Sequence, residues 1–216
     1  MSSKNAVITR PEHDDVTKYL YEWNKEIISA ANRKGIEIKD LSGQNANRAE
    51  FEKFVKKQNP KLVLLNGHGD SDTIKGHKDE PLIQCNDNEE VLKDKIVYAL
   101  SCESAANLGV SAVRKGTKAY IGYTEPFSFL TNKNKGCRPK DDELANVFKE
   151  ASNQISLSLI NNKTAEEAYN NSQAKFKALM RRFSSSDALP EAKDIRFWLF
   201  WDMVSQRVLG DEKARL

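Results

Sequence analysis

The sequence predicts a three-layer α/β sandwich in which a mostly parallel sheet of six strands lies between two layers of helices. Two short apolar runs carry this prediction, residues 61–70 (KLVLLNGHGD) and 95–105 (KIVYALSCESA). Each breaks off into small and reactive residues, as a buried parallel strand does where its carboxyl end opens onto a site. The other strand-like and helix-like segments alternate along the chain, which indicates right-handed crossovers and helices on both faces of the sheet.

Before residue 70, apolar residues recur with strand spacing and helix spacing in turn. The predicted order is strand, helix, strand, helix and then the strand that leads to His68. Gly35 and Pro60 end the two helices, because glycine commonly caps a helix and proline stops the chain before it. These five segments are residues 5–9, 14–34, 36–41, 48–58 and 61–66.

The pattern is less regular beyond Asp70. Residues 70–94 are polar, and we expect a long functional loop there, with a short hairpin beside the site. Thr164 followed by Glu167 is a capping box that begins one of three C-terminal helices. The tail supplies an edge strand that ends at Gly210. The other predicted segments are a helix at 105–115, a strand at 118–123, a second loop at 127–139, and helices at 142–160, 164–183 and from 190 onward.

Length and composition favour one domain. A chain of 216 residues can bury a substantial core, whereas two full domains would be cramped. We therefore predict a single domain over 1–216, with the catalytic core at about 5–125 and a helical part with the final strand at about 141–216. The 34 Lys and Arg nearly cancel the 31 Asp and Glu, so charge argues for neither nucleic acid nor a membrane as partner.

The three cysteines, Cys85, Cys102 and Cys137, are an odd number at spacings that fit neither a disulfide framework nor a zinc ligand set. We expect a reducing, cytoplasmic setting, no metal and no cofactor. His13 is interpreted as a residue of a helix start and His77 as an exposed loop residue. No secretory signal is visible, and no apolar run approaches the ~20 residues of a membrane span.

His68 and Cys102 are the predicted catalytic pair. If their strands are neighbours, both residues emerge at the same edge of the sheet, where open α/β sheets place their sites. A thiol becomes an effective nucleophile when a nearby imidazole takes its proton or stabilises the thiolate. The N–H groups of Gly69 and Cys102 are candidate donors to the oxyanion of an acyl transfer. A phosphate loop is a weak alternative, because the third glycine of a dinucleotide motif is missing.

The runs NGHGD and ALSCESA resemble the histidine-glycine and cysteine motifs of caspase-like (clan CD) cysteine peptidases, with the gingipain-like and CHAT branches most similar. The stretch ANLGVSAVRKGTKAYIGY and the terminal VLGD resemble what those branches carry further on. This resemblance implies a caspase-like fold and a thiol protease, with His68 as base or polarising residue, Cys102 as nucleophile, and Gly69 with Cys102 as oxyanion donors. Leu100 stands where metacaspases carry an acid, so neither their pocket nor the aspartate preference of caspases is transferred.

The substrate preference is predicted from the loop after the strand at 118–123. Glu125 is the candidate buried acid there, and it would favour Arg or Lys before the scissile bond. The sequence thus predicts a cysteine endopeptidase that acts on protein or peptide substrates through an acyl-enzyme, with the need for an activating partner subunit left open. Two alternatives also stay open: a catalytically silent caspase-like scaffold or interaction module, and an acyl-transfer enzyme acting on a small molecule.

Overall fold

A computed structural model describes residues 5–132, 138–184 and 190–216. Its strands are β1 (Asn5–Arg10), β2 (Glu37–Ser42), β3 (Leu62–Asn66), β4 (Thr73–Lys75), β5 (Pro81–Gln84), β6 (Ile96–Leu100), β7 (Ala119–Tyr123) and β8 (Gln206–Gly210). Six of them form one sheet in the order β2-β1-β3-β6-β7-β8. Five of the six run parallel, and β8 pairs antiparallel with β7 at the edge. The predicted six-stranded, mostly parallel sheet is confirmed.

Helices cover both faces of this sheet. They are α1 (Asp15–Arg33), α2 (Arg48–Gln58), α3 (Leu108–Arg114), α4 (Glu143–Ile160), α5 (Ala165–Ser184) and α6 (Ala192–Ser205). The predicted capping box is present at the start of α5, where Thr164 Oγ1 accepts from the Glu167 N–H at 3.1 Å and Glu167 Oε2 accepts from the Thr164 N–H at 2.9 Å. Among the described residues, no helix is both long enough and apolar enough to cross a membrane.

Side chains that alternate along each central strand divide the core into two parts. In β3, Leu62 and Leu64 belong to the core that also holds residues of α1, α4, α5 and α6. Val63 and Leu65 point the other way, into a core shared with α2 and α3. All five residues of β3 are buried, as expected of a parallel strand covered on both faces. The result is the predicted three-layer arrangement.

The loop after β3 folds back on the histidine that follows the strand. It contains the predicted hairpin, which is formed by β4 and β5 pairing antiparallel. The N–H of Lys75 donates to the carbonyl of His68 at 2.9 Å, and the N–H of Asp70 donates to the carbonyl of Thr73 at the same distance. These bonds fix the backbone on both sides of His68.

Helix α3 is shorter than predicted. The sequence predicts a helix over 105–115, but the helix begins at Leu108. The N–H groups of Glu103 and Ala105 donate instead to the carbonyls of Glu125 and Tyr123, at 3.2 and 2.8 Å. The segment after Cys102 is therefore bonded to the end of β7. Cys137 and the rest of residues 133–137, which belong to the predicted second loop at 127–139, lie outside the described residues.

Candidate active site

The strand β3 delivers His68 to the carboxyl edge of the sheet. Asn66 at its end is buried and held on three sides, since its N–H and side-chain amide donate to Thr9 and its Oδ1 accepts from Asn24. Gly67 then turns the chain with φ +142°, and a Cβ there would lie 2.6 Å from the carbonyl oxygen of Lys75. Only glycine meets both conditions, because it lacks a Cβ and tolerates positive φ. His68 follows this turn directly.

The neighbouring strand β6 delivers Cys102 in the same way. Asn66 is the register partner of Leu100, so His68 and Cys102 each lie two residues beyond a paired position. Glu103, the next residue, has φ +54°, which is strained for a side chain with a Cβ. The chain therefore turns tightly directly after the thiol.

Gly69 brings the two strand ends into direct contact. A Cβ at this position would collide with Ser101 Oγ and would lie 2.8 Å from the Thr73 carbonyl and 3.2 Å from the Cys102 carbonyl. The glycine therefore allows the backbone beside His68 to pack against the backbone beside Cys102. Gly69 and Cys102 remain our predicted oxyanion donors.

His68 and Cys102 line the same cavity, whose volume is about 620 Å³. Most of its other walls come from the start of α1, the loop after β7, and helix α6. Phe129 packs edge to face against Tyr19, and tilted ring contacts join Phe129 to Trp23 and Phe127 to Tyr123. The remaining lining residues are Asp15, Val16, Tyr19, Phe127, Ser128, Phe129, Leu130, Thr131, Asn132 and Trp198.

Asp14 is a candidate site residue that the sequence did not reveal. Its Oδ1 accepts from the Thr17 N–H at 2.8 Å and caps α1, and its Oδ2 lies 2.6 Å from His68 Nε2. An aspartate before an amphipathic helix predicts only a cap. The missing signal was spatial: α1 begins just after β1, and β1 is the sheet neighbour of β3, so both loops lie at one edge.

Asp14 fixes the tautomer of the histidine. Burial alone would raise the pKa of Asp14, but hydrogen bonds from Thr17 and His68 outweigh it and hold the pKa below its usual value. The carboxylate is therefore ionised and can only accept, so Nε2 of His68 carries the proton. In the neutral ring, Nδ1 is then the nitrogen free to take a proton.

The resting thiol of Cys102 is protonated. Burial raises its pKa, and the negative charge of Glu103 adds to this effect. The thiol also donates to the Phe127 carbonyl at 3.9 Å. Cys102 and Cys85 are both free thiols. The site therefore holds a neutral thiol, which would need a base before it could act as a nucleophile.

Glu125 does not occupy the position expected of it. The sequence predicts a buried acid in the substrate pocket, but the residue is exposed and lies outside the set that lines the cavity. The reason is local: the aromatic loop after it turns inward at Phe127, while the Glu125 carbonyl is used to hold the Glu103 N–H. Among the described residues that line the cavity, the one carboxylate is Asp15, whose side chain is 84% exposed.

Comparison with known proteins supports the fold. No protein-family model matches the chain, and no curated protein matches it. Among solved structures, the chain is similar to the Arg-specific cysteine proteinase gingipain R (RgpB), with TM-score 0.62 and 12% identity over 99% of this chain and 48% of that chain.

A second solved structure, the complex of the pro- and mature domains of Porphyromonas gingivalis RgpB, gives TM-score 0.60 and 11% identity over 97% of this chain and 47% of that one. The chain thus spans about half the length of these proteins. The predicted resemblance is confirmed at the level of architecture: the chain has the caspase-like fold found in the cysteine proteinase gingipain R.

Proposed function

We propose that this chain is a cysteine endopeptidase in which Cys102 is the nucleophile, His68 the base and Asp14 the residue that orients His68. One observation carries the proposal: His68 and Cys102 line one cavity, and the ring of His68 is bonded through Nε2 to a carboxylate. A thiol, an imidazole and a third group that orients the imidazole are the parts that nucleophilic catalysis needs. The same fold in a cysteine proteinase is consistent with this reading.

The proposed reaction begins when a peptide carbonyl enters the cavity. Nδ1 of His68 takes the thiol proton, and the sulfur attacks the carbonyl carbon to form a tetrahedral oxyanion, which the N–H groups of Gly69 and Cys102 stabilise. Collapse of this intermediate breaks the C–N bond, and His68 returns the proton to the departing amine. Water then hydrolyses the acyl-enzyme by the reverse proton transfers.

Substrate preference follows from the walls of the cavity. Tyr19, Phe127, Phe129 and Trp198 offer aromatic surface, and the exposed Asp15 is a weak partner for a buried cation. We therefore replace the basic preference expected from Glu125 with a large apolar or aromatic side chain beside the scissile bond. The substrate class is a protein or peptide, and the setting is the cytoplasm, where the free thiols stay reduced.

A positional peptide library tests both the activity and the preference. We expect cleavage after aromatic or large aliphatic residues, abolished by Cys102→Ala and retained in the matched control Cys85→Ala. Cleavage after Arg or Lys alone would overturn the aromatic preference and would favour an exposed acid, Asp15 or Glu125, as the residue that selects the substrate. Absence of cleavage with every peptide would favour the silent scaffold of the same fold.

A further inference from the structure

The three histidines of the chain lie together beside the start of α1. The ring centroid of His13 is 6.1 Å from that of His68 and 5.5 Å from that of His77. Asp14 lies between the first two, with its Oδ2 atom 3.7 Å from His13 Nε2 and 2.6 Å from His68 Nε2. His13 and Asp14 precede His68 and His77 by at least 54 positions in the sequence. The fold therefore brings the two pairs together.

His13 is the unexplained member of this cluster. Its side chain is only 12% exposed, and both ring nitrogens are shielded from solvent without a hydrogen-bond partner. Asp79 Oδ1 lies 3.3 Å from its Nε2, close enough to attract a positive charge although not placed to accept a hydrogen bond. A buried polar atom without a partner is costly. A cation held at the ring would remove this cost.

We infer that His13, Asp14 and His68 form a site for a divalent transition metal, with Zn²⁺ as the ion that fits best. One donor atom from each residue lies within 4.8 Å of the other two. Tetrahedral zinc with bonds of ~2.0–2.1 Å needs donors roughly 3.3 Å apart, so small side-chain rotations suffice. Two imidazoles and one carboxylate suit zinc, whereas calcium and magnesium prefer oxygen donors.

This site would regulate the peptidase, an inference that rests on the proposed function. The metal would take Nε2 of His68 and Oδ2 of Asp14, the two atoms whose hydrogen bond now fixes the ring. An imidazole bound to zinc at Nε2 cannot become imidazolium at ordinary pH, because ligation requires the neutral ring. His68 would then be unable to accept the proton of Cys102. Zinc would act as a reversible inhibitor that leaves the thiol itself free.

Metal binding is tested on the full chain without reference to activity. Titration calorimetry should show one Zn²⁺ per chain, and Co²⁺ should give the visible absorption of a tetrahedral site with nitrogen and oxygen donors. Cys102→Ala should leave both results unchanged. Strong near-ultraviolet charge transfer from sulfur to cobalt, lost in Cys102→Ala, would show a thiolate ligand and overturn the site as proposed.

Matched histidine variants locate the ligands. His13→Gln should weaken zinc binding by at least about tenfold, as loss of a ligand costs no less than loss of an outer-shell partner, and His77→Gln should change it by less than about threefold. An unchanged affinity in a folded His13→Gln would refute the inference. If that variant does not fold, the cobalt spectrum of the parent chain and of Cys102→Ala still decides between the ligand sets.

The regulatory claim has its own readout, the ratio of peptidase rates with and without zinc in each variant. We expect zinc to inhibit the parent chain and to lose that effect at the same concentration in His13→Gln. A chain that binds zinc but cleaves no peptide would refute the proposed function alone. A chain that cleaves peptides and binds no zinc would refute the metal site alone.

Discussion

The Oδ2 atom of Asp14 lies 2.6 Å from Nε2 of His68, so one carboxylate both caps helix α1 and holds the imidazole of the candidate pair. Its Oδ1 atom serves the cap by accepting from the Thr17 N–H. The two functions use different oxygen atoms of the same side chain. They can therefore be separated by substitutions that spare one and remove the other.

Replacing Asp14 by Asn should keep the cap and impair catalysis. Asparagine caps helices about as well as aspartate, so the free energy of unfolding should change by less than about 1 kcal/mol. The amide nitrogen would face Nε2 of His68 as a donor and favour the tautomer with the proton on Nδ1. That tautomer cannot accept the thiol proton, so we expect kcat to fall by about 10²-fold or more.

Thr17→Val is the matched control for Asp14→Asn. It removes the hydroxyl that accepts from the N–H groups of His13 and Asp14 and leaves the contact between Asp14 and His68. We expect a loss of roughly 1–3 kcal/mol in stability with kcat nearly unchanged. Equal kcat values for Asp14→Asn and the parent chain would remove Asp14 from the mechanism.

Gly69→Ala tests the contact between the two strand ends. The added methyl would collide with Ser101 Oγ and the Thr73 carbonyl, and overpacking of this kind costs roughly 1–3 kcal/mol. Because the displaced backbone carries Cys102 and a predicted oxyanion donor, we also expect a large loss of kcat. Thermal unfolding and peptide cleavage measure the two effects.

Gly43→Ala is the control for the substitution at Gly69. Gly43 has φ +54° with open space around its Cβ position, so the variant should lose about 1–2 kcal/mol from backbone strain and retain its kcat. A Gly69→Ala variant with the activity of the Gly43→Ala variant would contradict the proposed packing of His68 against Cys102.

The protonated state of Cys102 predicts how it reacts with alkylating reagents. Since burial raises its pKa, iodoacetamide should label it slowly at pH 7 and faster as the pH rises, with Cys85 as the internal comparison. A peptide of the preferred sequence that carries an electrophile should label Cys102 quickly. The peptide would fill the cavity, and His68 would take the thiol proton. Fast labelling of Cys102 by iodoacetamide at mildly acidic pH would instead show a resting thiolate.

The sheet was predictable because its signals are local. The apolar runs around Leu64 and Tyr98 mark buried parallel strands, and the small residues that follow them mark the edge with the site. Helix ends were predictable for the same reason, as the capping pair Thr164 and Glu167 shows. The start of α3 was not, since the N–H groups of Glu103 and Ala105 before it donate to carbonyls at the end of β7.

The parts of the site that depend on packing between distant segments were not predictable. Asp14 has the sequence signature of a cap, and its second role exists only because β1 and β3 are neighbours. The grouping of His13 with His68 follows from the same adjacency. Glu125 was expected to be buried because it follows a strand that leads to the site, but only the path of the loop decides which side chains turn inward.

A final prediction concerns Glu89, a fully buried carboxylate on the face opposite α1. Burial alone would raise its pKa, but hydrogen bonds from Ser111, the Asn86 N–H and Lys115 outweigh it and lower the pKa to about 2 from 4.5. A depressed folded-state pKa stabilises the fold above pH 4.5, and this contribution is lost as the pH falls toward 2. Urea unfolding between pH 7 and pH 2.5 should therefore show stability that declines below about pH 4.5.

Glu89→Gln should be less stable than the parent chain at pH 7, because the amide cannot accept from all these donors. It should also show a flatter decline of unfolding free energy below pH 4.5, since the titrating group is gone. The adjacent and exposed Glu90 supplies the control, and Glu90→Gln should follow the parent curve. Parallel pH profiles for Glu89→Gln and the parent chain would show that the acid sensitivity arises from other carboxylates.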